Sequence, residues 1–279
     1  MLTQIDDPLT ALAEITASPA ERMLLTSFIA RYADVGTRVI ALVDDPASPR
    51  ALLVHAGLAC KVHAGADALS GLVADVLAQR IEQQPPWPDE DLSTAWNEAD
   101  RPQLRLVHAR ESVWRAFVSG GFELIKNPKN IENAWLFHIE GAPRFSHLVQ
   151  HPCRLGRGLE LHGLIRRGID YDESGERSRR SLELEPSFVC EVGGEPVCWS
   201  ATHVGGLMGM IYTPPQHRRR GYARSLAAFQ IDHMLARDGV ACALVLEDNI
   251  PSQRLLESFG AERMPEKVGW RLVGWPDAH

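Results

Sequence analysis

The sequence predicts a mixed α/β fold, and three observations carry that expectation. Strand-like and helix-like periodicities alternate through the N-terminal third. Three strand-like runs separated by glycine turns follow one another between Ser187 and Tyr212. A fourth run of order, strand then basic glycine loop then helix then strand, occupies the region from Leu207 to Leu246. Runs of strands joined by tight turns read as antiparallel neighbours, and a strand–helix–strand unit reads as a parallel pair.

In the N-terminal third, Ser18-Pro19-Ala20-Glu21 has the form of a helix start. Serine can cap, proline suits the first turn, and the glutamate three residues on completes a capping box. Met23, Leu24, Phe28 and Ile29 then recur at helical spacing. Arg38 to Val43 reads as a strand, Asp45 to Pro49 as a turn, and Ala51 to Val54 as the returning strand. A helix is expected from about residue 66 to 80, with Leu69, Leu72, Val73 and Val76 on one face. Three prolines between Gln83 and Pro88 break the pattern, so a long surface loop with some helix is expected through Pro102. Leu104 to Val107 and Ala134 to Ile139 read as further strands. Both patterns fade between Gly141 and Gly158. The expected division is an N-terminal α/β domain over 1–145 and a second domain over 146–279.

The chain has 279 residues, 45% hydrophobic and 23% charged, a composition suited to a packed core. No apolar run approaches the roughly 20 residues of a membrane span. Met1 to Pro8 carries Asp6 and Asp7 rather than a basic stretch and an apolar core, so it does not read as a signal peptide, and a cytoplasmic location is expected. The five cysteines are scattered without CxxC spacing, which suggests neither a zinc knuckle nor a disulfide framework. The formal net charge of −7 argues against nucleic acid as the main partner.

The C-terminal half carries the chemistry. Arg177 to Leu184 reads as a charged helix or turn, and Ser187 to Val192 as a strand. Gly193-Gly194 turns the chain into Pro196 to Thr202, and Gly205-Gly206 turns it into Leu207 to Tyr212. Tyr212-Thr213-Pro214-Pro215-Gln216-His217 then leaves the sheet and leads into Arg218-Arg219-Arg220-Gly221-Tyr222-Ala223. A helix follows from about residue 221 to 237, stopped by Asp238-Gly239. The first turn of a helix offers free N–H groups and a partial positive charge. Gly221 lets a phosphate approach the backbone, Ala223 keeps the next turn small, and three arginines add charge. These features together predict a ligand bearing phosphate.

Arg218-x-x-Gly221-x-Ala223, with a strand before it and an amphipathic helix after it, resembles the pyrophosphate motif of the GNAT acyltransferase superfamily. Ala241 to Leu246 matches the expected parallel strand. Asn249-Ile250-Pro251-Ser252 and the short helix through Leu255, Leu256 and Phe259 resemble the family's second motif, with Val268 to Val273 as the closing strand. Gly194 to Trp199, Tyr212 to Arg218 and Gly221-Tyr222 are most similar to the glycine N-acyltransferase-like group. The resemblance covers about residues 186–273. The N-terminal half is either that group's N-terminal domain or a degenerate GNAT copy.

The resemblance implies a GNAT fold in the C-terminal half and transfer of an acyl group, acetyl above all, from acyl-CoA to the amine of a small molecule or amino acid. Pantetheine would pair with the backbone of Met210, Ile211 and Tyr212. The pyrophosphate would sit on Arg218, Arg219, Arg220, Gly221, Tyr222, Ala223 and Arg224, and Asn249 and Ser252 would complete the cofactor contacts. Direct attack on the thioester needs no acyl-enzyme and no metal. Two departures stand out. Leucine occupies position 207, where many members carry a glutamate base, and position 256, where many carry a tyrosine acid. His203 is the substitute base and Tyr212 the substitute acid that the sequence offers. A CoA-binding or sensing module that has lost catalysis, and a protein N-acetyltransferase, are the alternative readings.

Other signals carry less. Asp170-x-Asp172-x-Ser174-Gly175 begins like a calcium loop, but Ser181 falls where a bidentate glutamate is required. His147 and His151 have i, i+4 spacing without the glutamate of a zincin. Trp87, Trp96, Trp114 and Trp135 read as packing residues rather than a base-stacking platform.

Overall fold

A computed structural model describes residues 1–16, 18–34, 38–56, 59–79, 103–125, 134–168 and 175–276. The expected loop over 83–102, with Trp87 and Trp96, and the acidic segment Asp170 to Ser174 lie outside the described residues. The chain forms two compact units, Met1–Trp135 together with Pro265–His279, and Leu136–Met264. The expected division at 145 differs from this on two counts. The strand that opens with Ala134 runs on into the second unit, and the last strand returns to the first.

The first unit begins with β1 (Thr3–Ile5), α1 (Pro8–Ile15) and α2 (Pro19–Asp34). Asp7 caps α1 by accepting hydrogen bonds from the amides of Leu9 and Thr10. Then come β2 (Val39–Val43), β3 (Ala51–Ala56), β4 (Ala59–Ala64), α3 (Ala66–Gln79), β5 (Gln103–Arg110), α4 (Glu111–Ser119) and β6 (Glu123–Ile125). β1 to β4 are antiparallel neighbours in sequence order, and β4 joins β5 in parallel through Ala59↔Arg105 and Cys60↔Leu106. The final strand, β14 (Val268–Gly274), lies between β5 and β6 and is antiparallel to both. Leu12, Leu25, Phe28, Leu52 and Val54 form the core on the α1–α2 face. Leu53, Val62, Leu72, Val76, Leu106 and Phe117 form the core on the α3–α4 face. Both faces are covered, so β3 and β4 are buried along their whole length.

The second unit holds most of β7 (Ala134–Glu140), then β8 (Cys153–Leu155), α5 (His162–Gly168), α6 (Glu176–Leu184), β9 (Ser187–Val192), β10 (Glu195–Thr202) and β11 (Met208–Tyr212). It continues with α7 (Tyr222–Asp238), β12 (Val240–Leu246), α8 (Ile250–Glu257) and β13 (Glu262–Arg263). β8 to β11 are again antiparallel neighbours, and β11 meets β12 in parallel. β7 lies beside β12 and pairs with β13. Gly239, at φ 72°, ends α7 by donating its amide to the Leu235 carbonyl. Leu161, Ile165, Leu182, Trp199 and Met210 pack on the α5–α6 face. Phe188, Cys190, Cys198, Tyr222 and Leu226 pack on the α7 face.

The two units repeat one plan. Four antiparallel strands with two helices between the first and second are followed by a helix, a parallel fifth strand, a second helix and a short sixth strand. A further strand is inserted between the fifth and the sixth. That inserted strand is β14 in the first unit and β7 in the second, so each unit takes it from outside its own run of strands.

Candidate functional site

The site is built where β11 leaves β12. The ladder between them has one pair, Met208↔Ala243, beyond which the strands part. On the other side of β11, Tyr212 faces Trp199 and Gly209 faces Ala201, so one extra residue sits on β11. Met210 takes up that bulge with φ 53°, a left-handed conformation that a methionine adopts only under constraint. A bulge removes backbone N–H and C=O groups from the ladder. Here it does so beside the opening.

Past Tyr212 the chain makes a short 3-10 turn, Pro215–His217, and reaches the arginines. Nε of Arg218 donates to the Thr213 carbonyl at 2.9 Å, and its guanidinium lies over the Tyr212 ring at 5.8 Å. Arg219 has φ 61° and Gly221 φ 83°. Arg218, Arg219, Arg220 and Gly221 are exposed. Gly221 is the N-cap residue of α7 and supplies no side-chain cap. Among the described residues, none accepts the amides of 219–221. The first turn of α7 adds further donors with no partner in the helix. The loop is braced from behind. His151 Nε2 donates to the Arg220 carbonyl at 3.0 Å, and its ring packs edge-on against Tyr222 at 4.5 Å. The Ser225 hydroxyl accepts the Gln150 amide at 3.1 Å. The result is a rigid cluster of outward donors at the positive end of a 17-residue helix, ringed by cations.

The same place in the first unit is built differently. Only Gly65 separates β4 from α3, and the first turn of α3 carries Asp67. The parting of β4 and β5 is laced by side chains. Lys61 Nζ donates to the His108 carbonyl at 3.0 Å, and Arg110 donates to the Ala64 carbonyl at 3.0 Å. Glu21 of α2 lies 2.9 Å from His63 and 3.3 Å from Arg110. A carboxylate only accepts, so His63 Nδ1 carries the proton. Burial works to raise the Glu21 carboxyl, but the hydrogen bond from His63 and the surrounding cations hold it down at about 2. Burial pushes His63 down to about 4 and Lys61 down to about 7.

The other expected residues of the second unit fall as follows. His203 lies half-buried in the turn before β11, its amide donating to the Leu207 carbonyl. Its ring rests on Gly209: a Cβ there would stand 2.3 Å from His203 Nε2. Gly209 pairs with Ala201, which shares a face with Trp199 and Met210, so His203 lies on the α5–α6 face beside the bulge. The Tyr212 ring packs against Trp199 at 5.4 Å on that face. Leu207 and Leu256 are both buried and offer no proton-transfer group. Asn249 caps α8, its side-chain oxygen accepting the Ser252 amide at 3.3 Å. His151 was not singled out as part of the site by sequence; only its distance from Gly221 in the chain hid it. Among the described residues no helix is long and apolar enough to cross a membrane, and no group of three His, Cys, Asp or Glu side chains is placed to hold a metal.

Comparison with known proteins bears on this geometry. Residues 190–270 match the family model described as FR47-like protein, a span that holds β11, the arginine loop, α7, β12 and α8. The chain is similar in structure to a Drosophila protein solved by X-ray methods, at TM-score 0.63 and 14% identity, covering 99% of both chains. It is similar to a GNAT-family acetyltransferase from Colwellia psychrerythraea at TM-score 0.53 and 8% identity, covering 98% of this chain and 99% of that one. A tandem GNAT protein from the clavulanic acid biosynthesis pathway, solved without AcCoA, is similar at TM-score 0.51 and 12% identity, covering 100% and 99%. The fold is the mixed α/β fold of GNAT proteins.

Proposed function

We propose that the protein is an N-acyltransferase that moves an acyl group, acetyl above all, from acyl-CoA to the amine of a small molecule or amino acid. One observation carries this reading: a bulged strand parts from its parallel neighbour and leads directly into an uncapped helix start whose free amides are ringed by three exposed arginines. The opening suits an extended pantetheine arm, and the arginine loop suits a diphosphate. The donor set is all N–H, as a phosphate requires. The match to the FR47-like family over the same residues supports the reading, and the likeness of Gly194 to Trp199, Tyr212 to Arg218 and Gly221-Tyr222 to the glycine N-acyltransferase-like group supports a small amine as acceptor.

The residues divide the work. Arg218, Arg219, Arg220, Gly221, Tyr222, Ala223 and Arg224 hold the diphosphate. The backbone of Met210, Ile211 and Tyr212 aligns the thioester arm. Asn249, beyond its capping duty, and Ser252 border the cofactor. His203 removes the proton that the amine loses as it attacks the thioester carbonyl, since its ring lies against β11 at the bulge. Tyr212 gives a proton to the departing thiolate. General acid–base help of this kind contributes about 10²–10⁴-fold. The buried leucines at 207 and 256 support a second reading, an acyl-CoA-binding module without turnover.

Thiol release from acetyl-CoA and longer acyl-CoAs, measured against a panel of amines and amino acids, separates the two. Turnover with a defined amine, reduced in His203→Gln while acyl-CoA affinity is kept, is the expected result. Tight acyl-CoA binding with no turnover on any acceptor would leave the binding module standing instead.

A further inference from the structure

The cysteines take no part in the proposed chemistry. Cys153, Cys190 and Cys198 lie side by side on three adjacent strands, through Cys153↔Cys190 and Cys190↔Cys198. Cys190 and Cys198 pack with Tyr222 and Leu226 on the α7 face, and Cys153 packs against that cluster. Cys190 and Cys198 are buried, whereas Cys153 is half-buried on the edge strand β8.

The ladders distinguish the two neighbouring pairs. The Glu191 amide donates to the Pro152 carbonyl at 3.0 Å, so 152 and 191 form a hydrogen-bonded pair. Cys153↔Cys190, one step along, is therefore a non-hydrogen-bonded pair. Such pairs bring Cα atoms to about 4.5 Å and side chains closest. A disulfide spans Cα separations of about 4.4–6.8 Å. The Thr202 amide donates to the Pro186 carbonyl, which makes Cys198↔Cys190, four steps along, a hydrogen-bonded pair with its side chains farther apart. The Cys198 sulfur is also engaged by the Thr213 hydroxyl at 3.1 Å. The Cys153 and Cys190 sulfurs lie within hydrogen-bonding reach of each other.

We infer that Cys153 and Cys190 form a dithiol site that a low-molecular-weight disulfide converts to a cross-strand disulfide, with Cys153 as the point of entry and Cys190 as the resolving thiol. In the first step the Cys153 sulfur attacks the small disulfide, forming a mixed disulfide and releasing one small thiol. In the second, the Cys190 sulfur attacks the Cys153 sulfur and releases the other. Two protein thiols are oxidised, one small disulfide is reduced to two thiols, and both protons leave with those thiols. The third cysteine stays reduced. The site lies two residues from His151, which braces the Arg220 carbonyl, so the new bond would fasten the strand from which the arginine loop is held.

The test uses the full chain and glutathione disulfide. After acid quenching, unfolding and alkylation, cleavage after glutamate at Glu191 separates Cys190 from Cys198. The expected product links the Cys153 and Cys190 peptides and leaves Cys198 alkylated. In Cys190→Ser the expected product is a glutathione adduct held on Cys153, and Cys198→Ser still yields the Cys153–Cys190 link. A Cys190–Cys198 link as the main product would overturn the assignment. So would a lasting glutathione adduct on Cys153 in the wild type, or full alkylation of all three.

Discussion

At the scale of single residues, His203 and Gly209 form a unit. The ring of one occupies the space that a side chain on the other would need. Gly209→Ala is expected to displace the imidazole, the movable partner, rather than the strand. Turnover should then fall toward the level of His203→Gln, while acyl-CoA affinity stays within a few-fold, as steady-state kinetics alongside calorimetry would read. His203 was legible in the sequence as a polar residue near the strand turn. Its contact with Gly209 was not, because the turn geometry and the bulge that set it depend on pairing with β10. Glu21 and His63 give a second prediction at this scale. The folded state keeps His63 neutral down to about 4, whereas the unfolded chain takes up the proton near 6.5, so stability is lost as pH falls between those values. Glu21, held at about 2 against an ordinary 4.5, adds stability that is present above 4.5 and is lost as pH falls through about 2. Both act in the same direction. The urea midpoint should drop from pH 7 toward pH 4, and the part of that drop between 6.5 and 4 should shrink in His63→Gln.

Among the elements, the arginine loop holds strain where the ligand is to bind. Arg219, an exposed residue, adopts φ 61°, a conformation that glycine adopts without penalty. Arg219→Gly should therefore stabilise the fold by about 1 kcal/mol while weakening acyl-CoA binding, a separation of stability from function expected where strain serves a site. Thermal unfolding and calorimetry on one preparation would show both; a loss of stability together with unchanged affinity would contradict it. The strands and helix around this loop were readable because each carries its own local signal: paired glycines at the turns, Pro214-Pro215 at the sheet exit, Gly239 at the helix end. Elements that lack such signals escaped the reading. β4 is uniformly buried and bears Lys61 and His63 in its interior, so neither alternation nor apolar content marks it. β8 and β6 are three residues long, too short for a period to emerge.

For the molecule as a whole, the repeated plan of the two units matters most. Each has a strand that parts from a parallel neighbour, but only the second leads from it into a basic loop. In the first, the parting is laced by Lys61 and Arg110, and Asp67 would repel a phosphate at the start of α3. One acyl-CoA per chain is the expected stoichiometry. In the sequence the repeat shows only as one of two alternatives for the N-terminal half, because the two loops share no residue pattern. The inserted strands hid it further, since β14 follows every strand of the second unit and β7 precedes β8, so each enters its sheet out of sequence order. The most direct test of the central claim is calorimetric titration of acetyl-CoA into the wild-type chain and into Gly221→Glu, with circular dichroism to verify that the variant is folded. Binding at one site per chain, abolished by a carboxylate placed among the amides of 219–221, is the result expected. No binding by the wild type, or binding that the variant leaves unchanged, would contradict it.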